Sequence, residues 1–322
     1  YTVMEEKALR LSAVFLMILT AVSFVLLPKL PALHTWEGEA REERIAEEEF
    51  AQSQVTMQNL KIKEQNEAAG AKGELSIRLP EGVTGDQIAV SSDYVTQTIR
   101  VEIPQADRTY FDSYPVLGNS DYIDGLSYTR QGETGVIEVT TNRVYELQTE
   151  YDTQNFYFNF LTPHEVYDKV VVIDAGHGGR APGANKQGVN EKEIDLDIVL
   201  QLKKILDEDD HNIGVYYTRT DDSNPTFDQR VQLANKSDAD LFISVHNNST
   251  NSGRMSSANG TAVMYNESDE SELGSKRLAQ ICLEEVTGQL QSRNRGLVEG
   301  DSIYIIRTSK VPVALIEVGF MT

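Results

Sequence analysis

Residues 170–179 read VVVIDAGHGG, an apolar and mostly β-branched run that leads into a glycine-rich turn. An apolar run of this length that is bounded by glycine is typical of a buried strand. The predicted strands of this half of the chain are Lys169–Ile173, Ile213–Thr218, Leu241–Val245, Thr261–Tyr265, Ser302–Ile306 and Val313–Glu317, and the predicted helices are Glu191–Glu208, Pro225–Ser237 and Asp269–Gln291. Strands that alternate with amphipathic helices indicate an α/β fold, a mostly parallel sheet flanked by helices.

Polar residues stand where three of the predicted strands end. His177 follows the first run, His246 follows the third, and Glu317 closes the last. Because the carboxyl ends of parallel strands line one crevice, these side chains are expected to meet although they are far apart in sequence.

Glu191 joins this set by a different route. Asn190 is typical of a helix N-cap, and Glu193, three residues later, is typical of its capping-box partner. That assignment gives Glu193 a structural task and leaves Glu191, in the first turn, to point into the crevice.

Two histidines and two glutamates in one crevice predict a metal-dependent hydrolase. Two imidazoles, one carboxylate and an open position suit catalytic Zn²⁺, and the remaining carboxylate would move the proton of the attacking water. Each of these features also has a purely structural interpretation. A histidine can simply end a strand, Glu317 can be a core carboxylate with a partner, and Gly176 can serve only to make a tight turn. A phosphate loop at that turn would need a Gly-Lys-Ser/Thr ending, which is absent.

Nucleophilic catalysis has little support in the sequence. The single cysteine, Cys282, falls within a predicted helix, and the chain contains no Gly-x-Ser-x-Gly elbow. One cysteine also excludes an internal disulfide.

The carboxyl-terminal half resembles the catalytic domain of zinc-dependent N-acetylmuramoyl-L-alanine amidases of the Amidase_3 type. The matching blocks occur in the family's order: Val171–Gly179, Pro182–Ala184, Glu191–Glu193, Thr218–Asp221, Arg230 with Ala234–Lys236, Ser244–Asn248 and Glu317–Thr322. The resemblance implies that His177, Glu191 and His246 hold one Zn²⁺ per catalytic domain and that Glu317 is the catalytic glutamate. It further implies cleavage of the amide bond between N-acetylmuramic acid and L-alanine in peptidoglycan.

Two departures from the family pattern affect this interpretation. The family continues past Glu317–Thr322 with a final helix, so the predicted catalytic domain, residues 163–322, is expected to be truncated at its carboxyl end. Some relatives carry an inhibitory helix after the third ligand, but Asn247–Gly260 is short and rich in Ser, Asn and Gly. We therefore expect no plug from this loop, and we expect any restraint on activity to come from the segments before the catalytic domain.

The amino-terminal segment, residues 1–33, is predicted to be a membrane anchor. Leu11–Leu27 is an uncharged run of 17 residues, preceded by Lys7 and Arg10 and followed by acidic sequence. Its length suffices for a transmembrane helix, and the charge distribution places the rest of the chain on the cell surface. The alternative is a cleaved signal peptide, which would make the protein secreted.

Two further segments separate the anchor from the catalytic domain. Residues 34–72 begin with seven acidic residues between Glu37 and Glu49 and are predicted to form a solvated helical stalk. Residues 73–162 alternate with period two, as in Phe156, Phe158 and Phe160, which predicts a small antiparallel β-sandwich. Its position before a wall hydrolase resembles that of AMIN-type targeting domains.

Charge excludes one class of function. With 50 acidic and 29 basic residues the formal net charge is −21, which argues against sequence-independent binding of nucleic acid. Two other classes compete with the amidase: a degenerate, non-catalytic wall-binding or regulatory module, and a glycosidase with two carboxylates and no metal. The predicted partners are peptidoglycan, as the amidase substrate, and the membrane, through the amino-terminal segment; the sequence does not identify a protein partner.

Overall fold

The computed structural model describes residues 36–64, 72–208, 211–250 and 256–321. They form two compact units, one from the described residues of Tyr1–Ser53 and Lys169–Thr322, the other from those of Gln54–Asp168. The predicted anchor at Leu11–Leu27 lies outside the described residues, and no helix within them is long and apolar enough to cross a bilayer. The predicted domain bounds 1–33, 34–72, 73–162 and 163–322 stay predictions.

The first described element is helix α1, Trp36–Ser53, which belongs to the same unit as the carboxyl-terminal half. One side of α1 is buried: Ala46 is only 3% exposed, whereas Ala40 and Glu47 on other faces are exposed. The sequence predicted a solvated stalk here. The structure differs from that prediction because the glutamates of one face find hydrogen-bond donors on the rest of the unit, as described below.

The second unit consists of two five-stranded sheets that bury one common hydrophobic core. Its strands are β1 Gln58–Asn59, β2 Lys63–Glu64, β3 Leu75–Arg78, β4 Ala89–Asp93, β5 Thr98–Pro104, β6 Leu117–Gly118, β7 Ile123–Gln131, β8 Thr134–Thr141, β9 Glu146–Tyr151 and β10 Asn155–Leu161, with short helices α2 Arg108–Ser113 and α3 Pro163–Val166. The sheet orders are β1-β7-β8-β5-β4 and β2-β6-β3-β10-β9. All pairs except β2–β6 are antiparallel, so the antiparallel β prediction is confirmed.

The carboxyl-terminal half of the chain folds around a six-stranded sheet. Its strands are β11 Lys169–Ala175, β14 Ile213–Tyr217, β15 Leu241–Ser249, β16 Thr261–Tyr265, β17 Asn294–Glu299 and β18 Val313–Met321, and a small hairpin is formed by β12 Asn185–Lys186 and β13 Val189–Asn190. The helices are α4 Glu191–Asp207, α5 Phe227–Lys236, α6 Ser275–Leu290 and α7 Tyr304–Thr308. The order is β14-β11-β15-β18-β16-β17, parallel except for β16 against β18. The predicted mostly parallel sheet with flanking helices is confirmed.

One predicted strand is wrong. Residues 302–306 were expected to be a strand, but the structure has the short helix α7 at Tyr304–Thr308, and the sixth strand is β17. A short apolar run has no periodicity that separates a strand from a helical turn, and here Ile305 and Ile306 are buried by the helical arrangement. β17 lies at the sheet edge and is only partly buried, so its sequence has little apolar signal.

Candidate metal centre

The turn after β11 places His177 at the centre of the sheet's carboxyl edge. Its backbone adopts φ 57°, the left-handed region that a non-glycine residue rarely occupies. The preceding Gly176 lies against the ring of His246, since a Cβ at this glycine would come within 2.4 Å of the imidazole Cε1. A glycine at this position therefore allows the two histidines to approach, and their ring centroids are 4.8 Å apart.

Glu191 is the first residue of α4, and its surroundings match the sequence interpretation. Glu193 accepts hydrogen bonds from the backbone and side chain of Asn190, at 3.5 and 2.9 Å, and so caps the helix. The Glu191 carboxylate points inward instead and accepts hydrogen bonds from the backbone N–H groups of Ala184 and Asn247, at 2.7 and 3.0 Å.

The structure brings the three predicted ligands together. Oε1 of Glu191 lies 3.1 Å from Nε2 of His177 and 3.2 Å from Nδ1 of His246. All three side chains are buried. Ligand atoms about 2.0–2.2 Å from a shared zinc ion lie roughly 3–3.6 Å from one another, so these separations fit a common ion.

Glu317 lies at the same edge of the sheet. It is 3% exposed, and its Oε2 atom has no hydrogen-bond partner among the described residues. Burial, and then the negative charge of Glu191, raise the pKa of Glu317 to about 8. A buried carboxylate without a partner is costly unless a cation or a polar ligand sits beside it. The orphaned oxygen and the donor set together fit a bound metal ion.

Charge also couples the ligands to one another. Burial by itself would lower the pKa of His177, but the carboxylates of Glu191 and Glu42 raise it well above its ordinary value. Burial would raise the pKa of Glu191, but His177 and His246 hold it well below its ordinary range. The centre therefore keeps Glu191 ionised, which is the form that binds a cation.

A buried ion pair lies next to the metal centre. Asp174 on β11 accepts hydrogen bonds from Arg230 at 2.7 Å, Thr218 at 2.6 Å and Ser244 at 2.5 Å. Burial would raise the pKa of Asp174, but the Arg230 guanidinium and the two hydroxyls lower it to about 2. Asp174 is thus a fixed anion beneath the metal ligands.

Two arginines hold the turn that carries His177. Arg230 donates to the carbonyl oxygens of Ala175 and His177, each at 2.7 Å, and Arg219 donates to those of Ala175 at 3.0 Å and Gly176 at 2.6 Å. These bonds satisfy buried carbonyls and fix the left-handed turn. Both arginines belong to the sequence blocks that resemble the family, but this role could not be predicted from the sequence.

Two carboxylates at the centre were missed by the sequence analysis. Asp195 follows Glu191 by one helical turn and is fully buried; its Oδ1 accepts from Asn247 at 2.8 Å, and its ligand atom lies within 4.8 Å of those of the three predicted ligands. The i,i+4 spacing from Glu191 on the apolar face of α4 was the available signal. The other is Glu42 of α1, whose Oε2 lies 2.9 Å from Nδ1 of His177.

Cys282 is excluded as a nucleophile by its position. It lies buried on α6, and burial raises the pKa of its thiol to about 12. A thiol that stays protonated at physiological pH is not nucleophilic.

Comparisons with known proteins agree with this geometry. A family model described as N-acetylmuramoyl-L-alanine amidase, Amidase_3, matches residues 171–322. The uncharacterized protein YqiI of Bacillus subtilis (strain 168) is 40% identical over 154 residues, which cover 48% of this chain and 71% of YqiI. The N-acetylmuramoyl-L-alanine amidase LytC of the same strain is 34% identical over 157 residues, which cover 49% of this chain but only 30% of LytC.

One solved structure is also similar to this chain in sequence. The catalytic domain of CwlV, an N-acetylmuramoyl-L-alanine amidase from Bacillus (Paenibacillus) polymyxa var. colistinus, is 35% identical, with 47% of this chain and 80% of that chain covered and a TM-score of 0.41. The sequence matches and the buried His/Glu/His group together confirm the predicted family. The chain belongs to the N-acetylmuramoyl-L-alanine amidase family.

Proposed function

We propose that this chain is a peptidoglycan hydrolase that cleaves the amide bond between N-acetylmuramic acid and L-alanine. The observation that carries the proposal is the meeting of His177, Glu191 and His246 around one point, with Glu317 buried at the same sheet edge. This donor set favours an enzyme over a degenerate wall-binding module. Zinc is the metal that the family uses, and two imidazoles with a carboxylate suit it.

The ligands and the catalytic group have separate tasks in this proposal. When bound, zinc activates a water molecule and polarises the scissile carbonyl. Glu317 accepts the proton of the attacking water and returns it to the nitrogen of the leaving L-alanine. The positive charge of the ion would offset the burial that raises the pKa of Glu317, so that its carboxylate can accept this proton.

Surrounding residues keep this arrangement rigid. Arg219 and Arg230 bind backbone carbonyl groups of the turn that carries His177. Asn247, which follows His246 on β15, donates hydrogen bonds to both Glu191 and Asp195. Preorganised ligands reduce the rearrangement needed during the reaction.

Mass spectrometry of digested peptidoglycan tests the reaction class. An amidase releases stem peptides with a free L-alanine amine and leaves the glycan chains intact, and a chelator should abolish this release. A glycosidase would shorten the glycan and would be insensitive to the chelator.

We also propose that the protein is held at the outer face of the cytoplasmic membrane by Leu11–Leu27 and that the β-rich unit targets the cell wall. The uncharged run and the basic residues before it support the first proposal, and the paired sheets ahead of a wall hydrolase support the second. Membrane fractionation with external protease tests the anchor: recovery of a mature chain that begins downstream of Leu33 in the medium would contradict it. Binding of the protein to purified wall with and without residues 73–162 tests the second proposal.

A further inference from the structure

Helix α1 lies over the metal centre, which its acidic sequence did not predict. Residues 39, 42, 43, 46 and 49 recur at spacings of three and four and therefore share one face of the helix. Four of them are glutamates, and the fifth, Ala46, is 3% exposed in the middle of the face. On the outer side of the helix, Ala40, Arg41, Arg44 and Glu47 are exposed.

The glutamates of this face have specific partners on the rest of the unit, within residues 169–321. Glu42 reaches His177 at 2.9 Å, and Glu43 accepts from the backbone N–H of Phe227 at 2.6 Å. Glu49 accepts from the backbone N–H of Arg180 at 2.9 Å and from Asn224 at 2.9 Å. A Cβ at Gly179 would lie 2.6 Å from the Glu49 carboxylate, so this glycine gives α1 its close approach.

The space left under α1 is too small for a substrate. A cavity of about 30 Å³ remains between the helix and the centre, lined by Glu39, Glu42, His177 and His246 among others. Sites that bind small organic ligands enclose about 300–1,000 Å³, and a muropeptide is larger than many such ligands. About 30 Å³ holds one or two water molecules.

We propose that α1 is an intramolecular inhibitor of the amidase, an acidic helix that occupies the substrate groove and closes the metal centre. The inference rests on the proposed function and adds its regulation. The groove offers N–H and guanidinium donors to carboxylates, so the carboxylates of an acidic stem peptide can compete for the positions that Glu43 and Glu49 fill. Substrate binding and α1 docking therefore exclude each other.

The outer contacts of docked α1 are weak. The outermost contacts join Arg180, with a side chain 50% exposed, to Glu48 and Glu49, and such exposed pairs contribute only about 0–1 kcal/mol each. Released from the groove, a helix dense in like charge and with little apolar surface is marginal in water. An acidic ligand or a pull on the chain can therefore shift the equilibrium.

The test uses the full-length, zinc-loaded protein and the variant Ala46→Arg, which puts a long cation into the buried side of the helix. Ala40→Arg makes the same change on the exposed side and serves as the matched control. Hydrogen exchange of residues 36–53 reports docking independently of catalysis, and stem-peptide release from purified peptidoglycan reports activity. Exchange across residues 169–321 checks that the rest of the unit is unchanged. A triple Glu→Ala variant at Glu42, Glu43 and Glu49 provides a second way to release the helix.

We expect α1 to exchange at least tenfold faster, and peptide release to rise at least tenfold, in Ala46→Arg and in the triple variant, but not in Ala40→Arg. Added muropeptide should accelerate α1 exchange in the unsubstituted protein. Faster exchange at an unchanged, measurable rate of release would overturn the inhibition, as would an α1 that already exchanges freely in the unsubstituted protein. If no zinc-loaded variant released any stem peptide, the amidase proposal would be overturned, and the inhibition with it. Faster exchange of α1 in the same variants would then show that the helix had left the groove and that the reaction itself was absent.

Discussion

Glu317 and His246 occupy paired positions on the adjacent parallel strands β18 and β15. Residues in register on neighbouring parallel strands present their side chains to the same face, so the predicted catalytic carboxylate stands beside a metal-binding imidazole. The register shifts immediately after this pair, between His246 and Asn248, as irregularities beside functional sites often do.

A substitution of Glu317 should separate metal binding from proton transfer, because Glu317 stands beside the metal ligands without being one of them. Glu317→Gln should retain about one zinc per chain because Gln keeps the shape and removes only the proton-accepting group. It should lower turnover by about 10²–10⁴-fold, the usual contribution of a general base. The measurement is metal content together with the rate of stem-peptide release, both in the Ala46→Arg background. If the variant lost its zinc as completely as His177→Ala, Glu317 would be a ligand instead.

The three predicted ligands should behave as one set. His177→Ala, Glu191→Ala and His246→Ala should each lower the zinc affinity by at least about tenfold, because each removes one of three protein ligands. His211→Ala is the matched control, since His211 is exposed and precedes the parallel strand β14, at the sheet edge opposite the one that carries the centre. Elemental analysis after equilibration with a competing chelator gives the affinities. Equal metal loss from the His211 and His246 variants would contradict the assignment.

The buried pair of Asp174 and Arg230 should make stability depend on pH. The folded-state pKa of Asp174, about 2, lies below its ordinary value of 3.8. The unfolded chain therefore takes up this proton first as the pH falls, so the stabilisation is complete above about pH 4 and is lost as the pH falls towards 2. The difference between the two pKa values corresponds to about 2 kcal/mol in the free energy of unfolding.

Asp174→Asn tests this prediction in the metal-free protein. At pH 7 it should lower the free energy of unfolding by about 3–5 kcal/mol, because Arg230 is left as an uncompensated buried charge. The difference in the free energy of unfolding between the variant and the unsubstituted protein should become smaller below pH 4. Asp240→Asn removes a more exposed pair with Lys169 and should cost about 1 kcal/mol or less. A difference that stays constant from pH 7 to pH 3 would contradict the low pKa of Asp174.

The sequence allowed the sheet and the ligand set to be predicted for a specific physical reason. Buried parallel strands are short apolar runs, and polar residues at their ends must share an edge, so His177, His246 and Glu317 could be placed together without any contact information. Asn190 and Glu193 formed a recognisable cap, which left Glu191 to face inward.

Other features depended on contacts between residues far apart in sequence. The docking of α1 requires donors such as Arg180, 131 residues from Glu49, and a run of glutamates without its partner is indistinguishable from a solvated stalk. The helix at Tyr304–Thr308 was missed because packing, and not periodicity, decides its conformation. The short loop Asn247–Gly260 is still expected to form no plug, but residues 251–255 lie outside the described part of the chain.

Hydrolysis in ¹⁸O-labelled water identifies the bond that the enzyme cleaves, because the label marks the carbonyl that water attacked. Peptidoglycan is digested by the zinc-loaded Ala46→Arg protein, and the fragments are analysed by tandem mass spectrometry, with Glu317→Gln in the same background as the control. We predict one ¹⁸O atom in the lactyl carboxylate of N-acetylmuramic acid, a free amine on L-alanine, and no incorporation by the control. Label at an anomeric carbon, or in a carboxylate within the stem peptide, would show that the enzyme cleaves a different bond and is not an amidase.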